Sequence, residues 1–104
     1  ACDFLKEQGY SIVERNHRSR LGEIDIVAEH MEYLVFCEVK TRRSRAGLHP
    51  SLSVTAKKIE KLRMLGENYL SQKHLMHLQP RFDVIAVQLA GKTPPDIDHF
   101  VNAF

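Results

Sequence analysis

Apolar residues recur along this chain first at strand spacing, then at helical spacing, then at strand spacing again. Residues 2–8 read as the last turns of a helix, with Phe4 and Leu5 as its apolar contacts and Gly9 placed to end it with a positive φ. Residues 10–16 read as a strand, with Tyr10, Ile12 and Glu14 on one side and Ser11 and Val13 on the other. Residues 18–21 form a charged turn. Residues 22–29 and 33–41 make two further strands, and the short link at residues 30–32 joins them as an antiparallel hairpin. The second of this pair is apolar and β-branched enough to lie centrally in a sheet. Residues 42–53 form a loop around Gly47 and Pro50. Residues 55–72 are the clearest helix: Ile59, Leu62, Leu65, Tyr69 and Leu70 make one apolar stripe, and Ser53 or Thr55 can cap its start. Residues 81–89 alternate around Phe82, Val84 and Ala86, with Ile85, Val87 and Leu89 opposite. After a turn at residues 91–95, residues 97–104 read as a weaker last strand. The order α-β-β-β-α-β-β predicts a single α/β domain with helices packed on a mixed sheet. The chain starts inside what reads as a helix, so the first helix is taken as truncated at its N-terminal end.

A few charged residues break the apolar pattern of the hairpin. Alternation puts Ile24, Ile26 and Ala28 on one face of its first strand, and Glu23, Asp25 and Val27 on the other. In its second strand Leu34, Phe36, Glu38 and Lys40 share a face, opposite Tyr33, Val35, Cys37 and Val39. An apolar face that passes directly into a carboxylate and an ammonium requires those charges to be paired or metal-bound. Tight pairing about residue 31 or 32 sets Asp25 across from position 38 or 39, so Asp25 and Glu38 converge. Two carboxylates with waters and a substrate phosphate is a common way to hold Mg²⁺. Lys40 would then orient water or neutralise phosphate. An ion pair of Lys40 with Asp25 or Glu38, with no chemistry, satisfies the same pattern.

Lys58 shares the helix stripe of Leu62, Leu65 and Tyr69 and points toward the sheet, where it reaches a phosphate near the carboxylates or simply lays its stem along apolar surface. The other polar clusters are weaker. His74 and His77 fall at a helix end or loop, and Asp96, Asp98 and His99 read as a solvated turn after a double proline. Asp83 has Arg81 or Lys73 as a simple partner.

Composition narrows the function classes. The 104 residues are 43% hydrophobic and 27% charged, which marks a globular rather than a disordered chain. No apolar run approaches the roughly 20 residues of a membrane helix, and the alternation of apolar and charged residues at positions 1–10 is not that of a signal peptide. Cys2 and Cys37 are too few for a disulfide framework and lack zinc spacing, which suits a reducing cytosol and a cytoplasmic location without a membrane partner. The net charge is only +2, but its distribution is uneven. Lys40, Arg42, Arg43, Arg45, Lys57, Lys58, Lys61 and Arg63 cluster against one acid, Glu60. Such a field suits a phosphate backbone, or merely a solvated loop and helix face.

The stretch Gly22-Glu23-Ile24-Asp25-Ile26-Val27-Ala28, followed by Leu34-Val35-Phe36-Cys37-Glu38-Val39-Lys40-Thr41-Arg42, resembles the YraN family of bacterial proteins, which are predicted to resemble Holliday junction resolvases. Gly9-Tyr10, Arg15-Asn16-His17-Arg18, Val54-Thr55 with Lys58, Arg81-Phe82-Asp83-Val84 and Asn102-Ala103-Phe104 extend the resemblance over nearly the whole chain. The resemblance implies a restriction endonuclease-like three-layer sandwich, with a mixed central sheet flanked by helices. It implies a metal-dependent endonuclease acting on DNA, branched DNA included. In that reading Asp25 and Glu38 hold Mg²⁺ or Mn²⁺, the Val39 carbonyl completes the shell, Lys40 is the catalytic lysine and Glu23 belongs to the same motif. Lys58, Arg42, Arg43 and Lys57 are the nucleic-acid-binding candidates. Related proteins usually carry a longer first helix with an upstream glutamate. The fold class also permits a homodimer. The rival expectations are a nucleic-acid-binding module without turnover and a structural or protein-interaction domain.

Overall fold

The protein is described by a computed structural model covering residues 1–42, 56–89 and 96–103, apart from the side chain of Arg42. Its elements are α1 (Cys2–Glu7), β1 (Ser11–Ser19), β2 (Gly22–His30), β3 (Tyr33–Arg42), α2 (Ala56–Gln72), β4 (Gln79–Gln88) and β5 (Asp96–Phe100). The expected order of elements is therefore observed. Arg42, expected to open a loop, is the last residue of β3; the rest of that expected loop, residues 43–53, the Ser53 or Thr55 cap, the turn at 91–95 and Phe104 lie outside the described residues.

The five strands form one sheet in the order β1-β2-β3-β4-β5. The hairpins β1–β2, β2–β3 and β4–β5 are antiparallel, and β3–β4 is parallel, with α2 in the connection between them. A parallel pair needs such a crossover, and the crossover helix covers one face of the sheet. Ile24, Val27, Leu34, Phe36 and Phe82 bury that face against Leu65, Tyr69 and Leu70 of α2. The opposite face buries Ile26, Ala28, Val35, Cys37 and Ile85 against Leu5 of α1 and Tyr10. The central strand β3 is thus covered on both sides, as its apolar character requires. These three layers are the restriction endonuclease-like sandwich.

Both helices end in the same hydrogen-bond motif. After α1 the Tyr10 N–H donates to the Leu5 carbonyl and the Gly9 N–H to the Lys6 carbonyl, with Gly9 at φ 91°. After α2 the Leu75 N–H donates to the Leu70 carbonyl and the His74 N–H to the Ser71 carbonyl, with His74 at φ 56°. This pairing satisfies the last helical carbonyls and requires a left-handed residue, for which glycine is best suited. Gly9 fits the requirement and His74 is strained by it.

The structure corrects two face assignments and one turn. Glu14 does not share a side with Tyr10 and Ile12, because the register shifts between Ile12 and Glu14 and leaves Val13 as an extra, exposed residue. The bulge turns Glu14 onto the α2 side. Ile24 does not share a side with Ile26 and Ala28; it packs with Val27 on the α2 side. In β1 the partners of these two residues, His17 and Glu14, both contact Tyr69 of α2. Strict alternation therefore fails in both strands between those pairs, where Asn16 takes φ 50°. Finally, His99 is no solvated turn residue: it lies in β5 and is hydrogen-bonded to buried Asp83. The first strand also runs further than expected, to Ser19, and the last ends earlier, at Phe100.

Candidate functional site

The hairpin ladder between β2 and β3 is paired from His30 and Tyr33 down to Ile26 and Cys37. At the next position the backbone bond is replaced by a side chain: the Val39 N–H donates to Asp25 Oδ2 at 2.8 Å. Asp25 thereby caps the opened end of the ladder. It borders a cleft on each face of the sheet. One, about 470 Å³, is lined by Ala1, Cys2, Asp3, Arg15, Asn16, Ile26 and Val39 with Asp25. The other, about 230 Å³, is lined by Glu23, Ile24, Phe36, Cys37, Glu38, Lys58 and Leu62 with Asp25. The larger cleft contains none of the basic residues of β3 and α2. The smaller one gathers the charged chemistry.

Glu38 and Lys40 lie on the α2 side of β3. The Glu38 side chain is only 12% exposed, yet it carries a charge beside Phe36 and Leu62. Its Oε1 makes a close ion pair with Lys58 of α2 and stands 3.6 Å from Lys40 Nζ. Its Oε2 is buried with no hydrogen-bond partner among the described residues. A buried carboxylate oxygen left unpaired costs stability unless a cation or water fills the position. The two lysines respond in opposite ways. Burial and the adjacent Lys58 push Lys40 below its ordinary value, against the pull of Glu38. Hydrogen bonding to Glu38 holds Lys58 above its ordinary value, against burial. One carboxylate shared by two ammoniums is dominated by the nearer.

The remaining candidates separate into those that join this cleft and those that do not. Glu23 lines it but is exposed, with Arg18 Nε 3.7 Å from its carboxylate. Lys57 is exposed on the first turn of α2. Arg43 and the Arg42 side chain lie outside the described residues. Among the described residues no group of three or more His, Cys, Asp or Glu side chains gathers to hold a metal. Of the three carboxylates that line the cleft, Asp25 and Glu38 are the less exposed, and Glu38 has an unpartnered oxygen. That hard-oxygen donor set fits Mg²⁺ or Mn²⁺, which keep several waters and take few protein ligands.

One polar network escaped the sequence reading and a second was read only in part. On the α2 side Glu14 accepts from the Tyr69 hydroxyl at 2.9 Å and pairs with His17 Nδ1 at 2.8 Å. Burial, reinforced by Glu14, pushes the Tyr69 hydroxyl up to about 12. On the α1 side Asp83 is fully buried beside Cys37. Arg81 forks onto it at 3.0 and 2.9 Å, His99 Nε2 lies at 2.7 Å and the Asn102 N–H donates at 2.9 Å. Arg81 also donates to the Tyr10 hydroxyl at 2.6 Å. The Arg81–Asp83 pair was a sequence expectation. His99 and Asn102 were not, because only the β4–β5 pairing brings them there. Both networks tie strands to the sandwich and contribute no group to the charged cleft.

Comparisons with known proteins identify the relatives of this chain. The chain matches the profile of "Uncharacterised protein family UPF0102" over residues 1–87. It is 43% identical over 104 residues to a UPF0102 protein of Syntrophotalea carbinolica, covering all of this chain and 84% of that one. It is 47% identical over 105 residues to one of Trichlorobacter lovleyi, covering all of this chain and 83% of the relative. A UPF0102 protein of Rhodococcus opacus is 38% identical over 104 residues, with 88% of its length covered. With the family profile matched over most of its length and relatives this similar across all of it, the chain belongs to the UPF0102 (YraN) family.

Proposed function

We propose that this protein is a Mg²⁺- or Mn²⁺-dependent endonuclease that hydrolyses phosphodiester bonds in DNA, with branched DNA as its preferred class of substrate. The observation that carries the reading is the convergence of Asp25, Glu38 and Lys58 on one cleft, with Lys40 against Glu38. It is supported by the restriction endonuclease-like fold, in which an acid followed by acid-x-lysine is the catalytic pattern.

Asp25, through the carboxylate oxygen not engaged by Val39, and Glu38, through its unpartnered Oε2, would hold the ion. The Val39 carbonyl is the proposed third ligand, and Glu23 a neighbouring acid of the same motif. Bound there, a divalent ion supplies Lewis-acid stabilisation of a phosphodiester transition state and lowers the pKa of water. Lys40, held beside Glu38 on the rigid central strand, orients the attacking water and offsets charge on the phosphate. Water forms the new bond to phosphorus and the sugar oxygen leaves with a proton. Lys57, Lys58, Arg42 and Arg43 provide the positive approach for the DNA backbone.

The test is cleavage of four-way junctions, flaps and single strands with Mg²⁺ or Mn²⁺. Lys40→Ala should still bind DNA and lose cleavage by about a hundredfold or more. Full activity in Lys40→Ala would remove its catalytic role. Salt-sensitive binding with no cleavage of any substrate would favour the binding-module reading.

A further inference from the structure

Glu38 meets two ammoniums through the same oxygen, and the two are not equivalent. Lys40 lies two residues along the same central strand, 21% exposed, and cannot withdraw far from Glu38. Lys58 reaches Glu38 from the first turns of α2, on a long stem whose side chain is 42% exposed. Its close contact leaves Glu38 Oε2 the oxygen without a partner. Lys58 is therefore the charge that neutralises Glu38 most directly.

A lysine ammonium is a compact point charge on a flexible stem. It can stand where a cation would stand. We propose that Lys58 is a resident counter-ion for Glu38, occupying the carboxylate in the metal-free protein and competing with the divalent ion for it. The inference rests on the metal-site reading above and assigns to Lys58 a role separate from DNA contact. A divalent ion shared by Asp25 and Glu38 adds two positive charges beside two ammoniums. The resulting repulsion acts most strongly on Lys58, the ammonium in closest contact with Glu38. Metal affinity is thereby set lower than the two carboxylates alone would give, while Glu38 never stays buried without a neutralising partner. A lysine that served only as a phosphate contact would leave metal affinity unchanged when DNA is absent.

The experiment is titration of Mn²⁺ without DNA, following the electron paramagnetic resonance signal of the free ion. The wild type, Lys58→Met, Lys58→Gln, Lys58→Arg and Glu38→Gln are compared, each checked for folding by circular dichroism. Lys58→Met and Lys58→Gln should bind Mn²⁺ at least about fivefold more tightly than the wild type, the lower end of ordinary coupling between sites. Lys58→Arg, which keeps the ion pair, should bind no more tightly than the wild type, and Glu38→Gln should abolish binding. Lys58→Gln keeps a polar end and provides the measurement should Lys58→Met fail to fold. Unchanged or weaker Mn²⁺ binding in the neutral variants, with Glu38→Gln still abolishing it, would overturn the role of Lys58 and leave the metal site standing. Absence of Mn²⁺ binding in wild type and neutral variants alike would overturn both.

Discussion

The Asp25 carboxylate accepts the Val39 backbone N–H at 2.8 Å, so one residue both closes the β2–β3 hairpin and faces the charged cleft. Its structural and its proposed chemical roles use different features. Hydrogen-bond acceptance needs an oxygen; cation binding needs a charge. Asp25→Ala should lose about 1.5–3 kcal/mol of stability, the range for a charge-assisted bond. Asp25→Asn, which retains an acceptor, should lose about half as much. Denaturant unfolding of the two variants checks this, and equal losses would show that Val39 does not depend on the acceptor.

Asp83 makes stability sensitive to acid. Burial by itself would raise its carboxyl, but hydrogen bonds from His99, Arg81 and the Asn102 N–H outweigh it and hold the group below its ordinary 3.8. A carboxylate depressed in the folded state adds stability above its unfolded pKa, and that contribution is lost as pH falls through the folded one. The stability difference between the wild type and Asp83→Asn should be about 3–5 kcal/mol at neutral pH, the cost of breaking a buried pair. It should shrink steadily once the pH falls below about 4. A difference independent of pH, followed by urea unfolding, would contradict the network.

Gly66 is fixed by packing rather than by backbone freedom. A Cβ there would stand 2.9 Å from two atoms of the Phe82 ring and 3.1 Å from the Phe36 ring. Those rings stack on each other at 5.4 Å, so neither can yield easily. Alanine would favour the helix by about 1 kcal/mol, while overpacking costs about 1–3 kcal/mol. Gly66→Ala should therefore lower the melting temperature, and a rise would show that α2 can shift on the sheet.

His74 offers the opposite case. It is exposed, at φ 56°, in the position after α2 where Gly9 stands after α1. The left-handed conformation costs a side-chain-bearing residue about 1–2 kcal/mol, and glycine loses part of that gain through its freer unfolded chain. His74→Gly should stabilise the protein by about 0.5–1 kcal/mol. Destabilisation, measured by calorimetric melting, would mean that His74 makes a contact worth more than its strain.

Much of this fold was legible because it follows from local pattern. The α2 stripe, the tight hairpin and the two-sided burial of β3 are each written in the spacing of apolar residues. The Asp25–Glu38–Lys58 convergence was legible because hairpin register and helix periodicity are both arithmetic. Glu14 was misplaced because a one-residue bulge at Val13 reverses the side chains that follow as far as Asn16, and no glycine or proline announces it. Ile24 was misplaced because alternation slips in both strands near Asn16, whose positive φ the spacing of apolar residues does not register. His99 was read as solvent-facing because its partner Asp83 lies on a different strand, and nothing within either segment encodes that pairing. Lys58 was seen to point at the sheet, but its hold on Glu38 needed three-dimensional distances.

The central claim is that Asp25 and Glu38 together bind a divalent ion. The most direct measurement is isothermal calorimetry of Mn²⁺ with the wild type, Asp25→Asn and Glu38→Gln, in the absence of DNA. The account predicts stoichiometric binding by the wild type and its loss in both variants, each of which retains its fold by circular dichroism. Binding that survives either substitution, or none in the wild type, would contradict it.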